Sequence, residues 1–330
     1  LLDFTKKYEF KLFIASCEIN YRCCKNTPTK NWLVSFYYLR KMPRERLEAF
    51  LKDAKYGLSR IIPGCDETRT LFLDSGAFSF QNAFGCIDGR NNNDKSELTT
   101  YALMTYMLDY LEFVKQYGHY FDIIVEVDVD YIIGSKKTRY MFDRMRQDGV
   151  DIRPVWHIPK GDAWWEKDSK TFNYMGIEGQ TRHRDDPISF YNQKMKIAHE
   201  NDCRIHGFAM TDFGVLDRVP FDSVDSASWM LQAANGTVKT PFGTIAISDR
   251  SIMNGEIGDV LNYASLNTLQ KAEFSDYVTK HGFTVDGLKH EWKDRAALNT
   301  YYYSWMEDKI NRKWSYLNSA KVYQRPLFTV

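Results

Sequence analysis

Residues 70–80 read TLFLDSGAFSF, an apolar run of strand character that ends on Asp74 and leaves through a Ser75-Gly76-Ala77 turn. An apolar run closed by a polar residue and a small-residue turn, with a helix to follow, is the repeating unit of an α/β fold. The unit recurs on both sides. Before it, residues 10–19 and 31–39 read as strands, and residues 43–62 form an amphipathic helix with Pro43 near its first turn. After it come a helix over 98–118, the strand-like run FDIIVEVDVDYII at 121–133, a helix over 135–149 ending at Gly149, and strands at 152–159 and 172–179. Asp186 then stands as N-cap before Pro187 opens a helix over 187–202, and strand-like runs at 203–210, 221–228 and 243–247 complete the series. Strands alternating with helices require a parallel sheet with right-handed crossovers. The expected fold is therefore α/β, a (β/α)8 TIM-like barrel with additional C-terminal helices. The barrel takes residues 1–264, and residues 265–330 supply closing helices and an aromatic, basic extension of the same domain.

The 330 residues are 44% hydrophobic and 26% charged, a balance that excludes disordered and fibrous classes. Lys and Arg number 44 against 43 Asp and Glu, so no global charge draws the chain to a polyanion, and such binding needs local patches. Six cysteines without a C-x-x-C pair read as reduced, mostly buried thiols. No run approaches the ~18 apolar residues of a membrane span. Lys6, Lys7 and Glu9 interrupt the N-terminus where a signal-peptide core would lie. The expectation is a cytoplasmic protein with no membrane partner.

In a barrel of this kind, chemistry sits at the C-terminal ends of the strands. The polar residues there are Asp74, Asp128 with Asp130, His157, Glu178, Thr211 with Asp212, and Asp225. Asp74 is followed by Ser75 and Gly76, where backbone can approach a ligand, and by Phe78, whose ring could cover it; equally, Asp74 could cap the next helix. In VEVDVD, Glu126, Asp128 and Asp130 alternate with valines and so share one face. Three acids together must bind a cation, share protons or accept hydrogen bonds, unless the strand is an edge with a solvated face. His157 ends the next run, as a structural residue or as part of a site. Gly176-Ile177, before Glu178 and Gly179, offers main-chain groups to a planar ligand. Asp222 and Asp225 precede Asn235-Gly236, a turn signal leading to the last strand, and could instead cap a helix.

DSGAFS at 74–79 and NGTVKTPFGTIAI at 235–247 together resemble the tRNA-guanine transglycosylase superfamily, and more closely its phage relatives, the DNA-guanine transglycosylases that insert 7-deazaguanines. There one strand end reads D-S-G-G-F-Q, and another reads F-D-C-V followed by N-G-T-x-x-T-x-x-G-x-I-x-I. Ten residues before Asn235 stands Asp225, at the place of the family's nucleophile. The resemblance implies Asp74 as general acid and base and Asp128, or Asp130 in the alternative register, as reader of the base. It further implies Phe78 as stacking ring, and His157, Ser75, Gly76, Gly176 and Ile177 as base contacts. Bacterial and archaeal members carry a Cys3His zinc site after the nucleophile strand; here no cysteine follows Cys203, so no cofactor, zinc included, is expected.

The implied partners are nucleic acid, with DNA favoured and tRNA possible, and a free 7-deazaguanine base; the oligomeric state is left unknown, and the compartment is the host cytoplasm if the gene is a phage's. Lys136, Lys137, Arg139 and Arg144, then Arg182 and Arg184, then Lys309, Arg312 and Lys313 are candidate phosphate contacts, although such patches also occur as solvated helix faces. Trp305 and Trp314 are candidate stacking surfaces. Two rival readings stand beside this one. A metal-dependent barrel hydrolase would use Glu126, Asp128 and Asp130 as ligands, and a non-catalytic barrel would bind nucleic acid without exchanging bases.

Overall fold

The computed structural model describes residues 9–83, 97–179, 185–248 and 260–314. Eight parallel strands form one sheet: β1 Lys11–Ala15, β2 Asn31–Ser35, β3 Thr70–Asp74, β4 Ile123–Ile124, β5 Val155–Trp156, β6 Tyr174–Ile177, β7 Arg204–Gly207 and β8 Ser223–Ser226. Their spatial order is β4-β3-β2-β1-β8-β7-β6-β5, so the sheet is curled into a half-barrel with helices flanking its outer face. A single parallel bridge, Val125 to Arg153, links the two edges.

The side-chain alternation of each strand sorts the sequence into two cores. Leu12 and Ile14 of β1, Trp32 and Val34 of β2, and Leu71 and Leu73 of β3 pack outward against helices. Phe13, Leu33, Phe72, Val155 and Tyr174 fill the inner face. Asp74 shares the parity of Phe72, and Asp225 that of Ser223, so both acids project inward at the strand ends.

Several sequence expectations change. The run 31–39 is strand only to Ser35, and Phe36–Leu39 is helical. The run 121–133 is strand only at its start, because Asp130–Ile133 coils into a short helix. In addition, the Glu126 carboxylate, rather than a strand carbonyl, accepts the Val155 N–H at 2.7 Å. The run 243–247 does not join the main sheet. Gly243–Ala246 (β10) pairs antiparallel with Thr237–Thr240 (β9) and parallel with Val260–Asn262 (β11) in a separate three-stranded sheet. Asn235-Gly236 ends the helix Ser228–Ala234, with Gly236 at φ 80°, and the hairpin turns at Pro241-Phe242 instead. As expected, Asp186 caps the helix Pro187–His199, accepting the Ser189 N–H at 3.0 Å.

The helices beyond residue 265 divide in two. Thr268–Lys280 and Val285–His290 cover the small sheet, around Phe274, Val278 and Leu288. Trp292–Trp314 returns along β1, where Glu307 accepts the Leu12 N–H at 2.6 Å and Asn311 exchanges bonds of 2.7 and 2.8 Å with the Phe10 backbone. These side chains satisfy strand groups that β2, which pairs with β1 only from Ile14, leaves open. Among the described residues no helix is long and apolar enough to cross a membrane.

Candidate active site

Asp74 is the last residue of β3, and the turn after it is built around its carboxylate. The Gly76 N–H donates to Asp74 Oδ2 at 2.9 Å, with Gly76 at φ 73°. A Cβ there would lie 2.5 Å from both the Ser35 hydroxyl and the Tyr37 side chain, so only glycine fits. Ser75 is buried; its hydroxyl donates to Asp128 Oδ1 at 3.0 Å, and its carbonyl accepts from the Tyr106 hydroxyl. Burial, followed by the charges of Asp128 and Asp225, raises the Asp74 carboxyl to about 7, against the pull of the Gly76 N–H. Asp74 therefore feels the charges of Asp128, four residues past β4, and of Asp225 on β8. Phe78, on the next helix, is 74% exposed and stands free of the core.

The acids of VEVDVD converge on β5 and the turn after it. His157 Nδ1 lies 3.0 Å from Asp130 Oδ2, and Nε2 lies 3.5 Å from Asp128 Oδ2. The Lys160 ammonium, wholly buried, sits 2.9 Å from Glu126 Oε1 and 3.3 Å from Asp130 Oδ2. Burial alone would lower the His157 imidazole, but the Asp130 hydrogen bond and the Asp128 and Asp130 charges outweigh it and raise it. Burial would raise Asp130, but His157 and Lys160 hold it below its ordinary value. Asp128 is raised by burial, with His157 and the Ser75 hydroxyl opposing. Lys160 thus already supplies the positive charge that the hydrolase reading required of a metal, and it takes Glu126 and Asp130 as its own counter-ions. Glu178 accepts from Tyr131 Oη at 2.8 Å and from the Ile158 N–H at 3.1 Å.

On β8 the two candidate aspartates part company. Asp222 has outward parity, accepts the Ile205 N–H at 2.8 Å and pairs with His199 Nε2 at 2.8 Å, which fixes a helix to the sheet. Asp225 points inward, where its Oδ1 accepts the Ala209 N–H at 2.7 Å and lies 3.3 Å from His206 Nε2. Ala209 holds φ 51°, a left-handed conformation that costs a non-glycine residue about 1–3 kcal/mol and aims its N–H at the carboxylate. Asp212 caps the short helix Phe213–Leu216. Thr211 meets the Ser226 hydroxyl at 3.2 Å.

The remaining candidates scatter. At Gly176 a Cβ would meet the Phe208 ring at 2.5 Å, and the Ile177 carbonyl accepts the Phe208 N–H at 3.0 Å, so this pair is occupied by packing and the sheet. Lys136 and Lys137 are exposed in the first turn of the helix Ser135–Gln147, on the strand-end side. Arg139 is committed to Asp168 and lies over Trp164; Arg144 is exposed. Arg182 and Arg184 lie outside the described residues. Lys309, Arg312 and Lys313 stand on the last turns of Trp292–Trp314, beside the N-terminal end of β1 and away from the acids, because Asn311 binds Phe10 there. Lys313 pairs with Asp217 at 2.6 Å, and Lys309 covers Phe213 and Trp305. Trp314 is buried, its indole donating to the Leu216 carbonyl, so it offers no stacking surface; Trp305 is half-buried.

No protein-family model and no curated protein matches the chain. Sequence reasoning passed over three residues of the site. His206 was discoverable, since Ile205-His206-Gly207 alternates with the histidine inward. Lys160 lies in a turn, and Glu18 three residues past β1; neither falls in a period that marks it.

Proposed function

We propose that the protein is a guanine transglycosylase acting on nucleic acid, DNA in preference to tRNA, that exchanges guanine for a 7-deazaguanine on a (β/α)8 TIM-like barrel. The barrel reading rests on the Val125–Arg153 bridge between the two sheet edges. The observation that carries the functional reading is the link from Asp74 through its neighbour Ser75, whose hydroxyl donates to Asp128 Oδ1 at 3.0 Å, with burial and then the charges of Asp128 and Asp225 raising Asp74 to about 7.

Exchange with retained stereochemistry calls for two displacements. Asp225 attacks C1′, the C1′–N9 bond breaks with its electron pair passing to the base, and Asp74 delivers a proton to the departing guanine. The incoming 7-deazaguanine then attacks C1′, loses its proton to Asp74, and frees the Asp225 carboxylate. A group titrating near the working pH is suited to giving and taking a proton in turn. Asp128, oriented by Ser75 and His157, accepts from the N1–H and 2-amino donors of a guanine-like base, and Phe78 stacks on it. A duplex substrate must extrude its base, at a cost of a few kcal/mol. Lys136 and Lys137 border the strand ends on the side where the phosphates would pass.

Incubation with labelled guanine and either duplex DNA or tRNA tests the reading. Label should enter DNA, and Asp225→Asn should lower incorporation by at least ~10³-fold. Label in neither polymer overturns the proposal.

A further inference from the structure

Asp225 ends a chain of buried hydrogen bonds that the proposed reaction does not by itself require. Tyr174 Oη lies 2.6 Å from Ser223 Oγ, Ser223 Oγ lies 2.9 Å from His206 Nδ1, and His206 Nε2 lies 3.3 Å from Asp225 Oδ1. His206 is fully buried, with the rings of Phe72, Phe208 and Phe13 at centroid distances of 4.5, 4.6 and 5.8 Å. The direction of the chain follows from its last member. Asp225 Oδ1 already accepts the Ala209 N–H, so Nε2 donates to it. In a neutral imidazole Nδ1 is then the acceptor, Ser223 donates to it, and Tyr174 donates to Ser223. The apolar cage favours that neutral form: burial lowers the imidazole against the raising pull of Asp225.

We infer that His206 is the positioning residue for the Asp225 nucleophile, holding Oδ1 together with the Ala209 N–H so that Oδ2 is the oxygen presented to C1′. Both bonds end on Oδ1 and neither on Oδ2. When Oδ2 bonds to C1′ and the electron pair of the C1′–N9 bond leaves with the base, Oδ1 becomes the ester carbonyl oxygen and keeps both donors. A neutral donor suits each stage, because an imidazolium would bind the free carboxylate more tightly than the ester and blunt its attack. Tyr174 and Ser223 fix the tautomer. This inference rests on the transglycosylase reading for the reaction, but its geometry can be tested without turnover.

Two measurements on the full chain separate the possibilities. Nitrogen-15 NMR of the histidine-labelled protein at pH 8 should give His206 as the neutral Nε2–H tautomer. A ring charged at pH 8, or the Nδ1–H tautomer, overturns the chain whether or not base exchange occurs. In the exchange assay, His206→Gln, which can keep a donor near the Nε2 position, should retain activity within ~10-fold. His206→Met should slow formation of the glycosyl-enzyme by ~10²-fold at unchanged KM, as expected of a misplaced reacting group. Wild-type rates in a folded His206→Met protein overturn the positioning role; absence of exchange by the wild type overturns the parent reading and leaves the NMR result to decide the chain.

Discussion

Glu18 gives the sharpest quantitative test of the electrostatics around the strand ends. It follows Ser16, held at φ 65° just beyond β1, and is 2% exposed with no hydrogen-bond partner on either carboxyl oxygen. Burial, aided by the charge of Asp74, lifts its carboxyl from 4.5 to about 8; nearby backbone N–H groups of Glu18 and Ser35 oppose this without reaching bonding geometry. A carboxyl raised on folding contributes stability that is fully present below its unfolded value and is lost as pH climbs to the folded one. At about 1.4 kcal/mol per pH unit, this one group lowers stability by about 3 kcal/mol between pH 4.5 and 7, and by roughly 5 kcal/mol once pH exceeds 8. Glu18→Gln has nearly the same shape and no charge at any pH. By equilibrium urea unfolding, the variant should match the wild type within about 1 kcal/mol at pH 5 and exceed it by about 3 kcal/mol or more at pH 8. Glu307 and Asp74, both raised to about 7, also lose stability over this range, but they are common to the two proteins and largely cancel in the difference. A difference that stays flat from pH 5 to 8 would refute the buried, neutral Glu18.

Two further outcomes are expected. Lys160→Met strips Glu126 and Asp130 of their counter-ion and should destabilise the fold by about 3–5 kcal/mol at pH 8, and by less at pH 5, where the stranded carboxyls can protonate; urea midpoints at the two pH values check it. In rapid-quench kinetics of the proposed reaction, glycosyl-enzyme formation should fall as pH rises through about 7, because it uses protonated Asp74. Asp128→Asn should move that limb to lower pH by removing one of the charges that raise Asp74, and an unmoved limb would show that Asp74 is not the proton donor.

The sequence exposes what local periodicity controls. Phe72 and Asp74 share a face because they are two residues apart on a strand, and the same parity separates Asp225 from Asp222, although spacing within the chain could not say which of the two faces inward. In VEVDVD the three acids do gather, but not by strand parity: Val125 packs in the inner core, Val127 and Val129 pack in the outer one, and Asp130 opens a helix, so it is the chain past β4 that brings Glu126, Asp128 and Asp130 to Lys160 and His157. What the periodicity could not contain is how those acids are divided. Lys160, 34 residues from Glu126, comes from a turn and neutralises Glu126 and Asp130. His157 is shared between Asp130 and Asp128, and His206, 19 residues from Asp225, sets Nε2 3.3 Å from its Oδ1. The result is a site split in two: a paired, structural half around Lys160, and a half in which Asp74 faces Asp128 and Asp225 with little positive charge to spare. Burial first, and then that imbalance, raises Asp74 toward neutrality, and both arise only when residues from distant turns fold onto neighbouring strand ends. A triad legible in the sequence as a cation site is therefore, once Lys160 is in place, a paired cluster of charges one strand away from the raised Asp74 carboxyl.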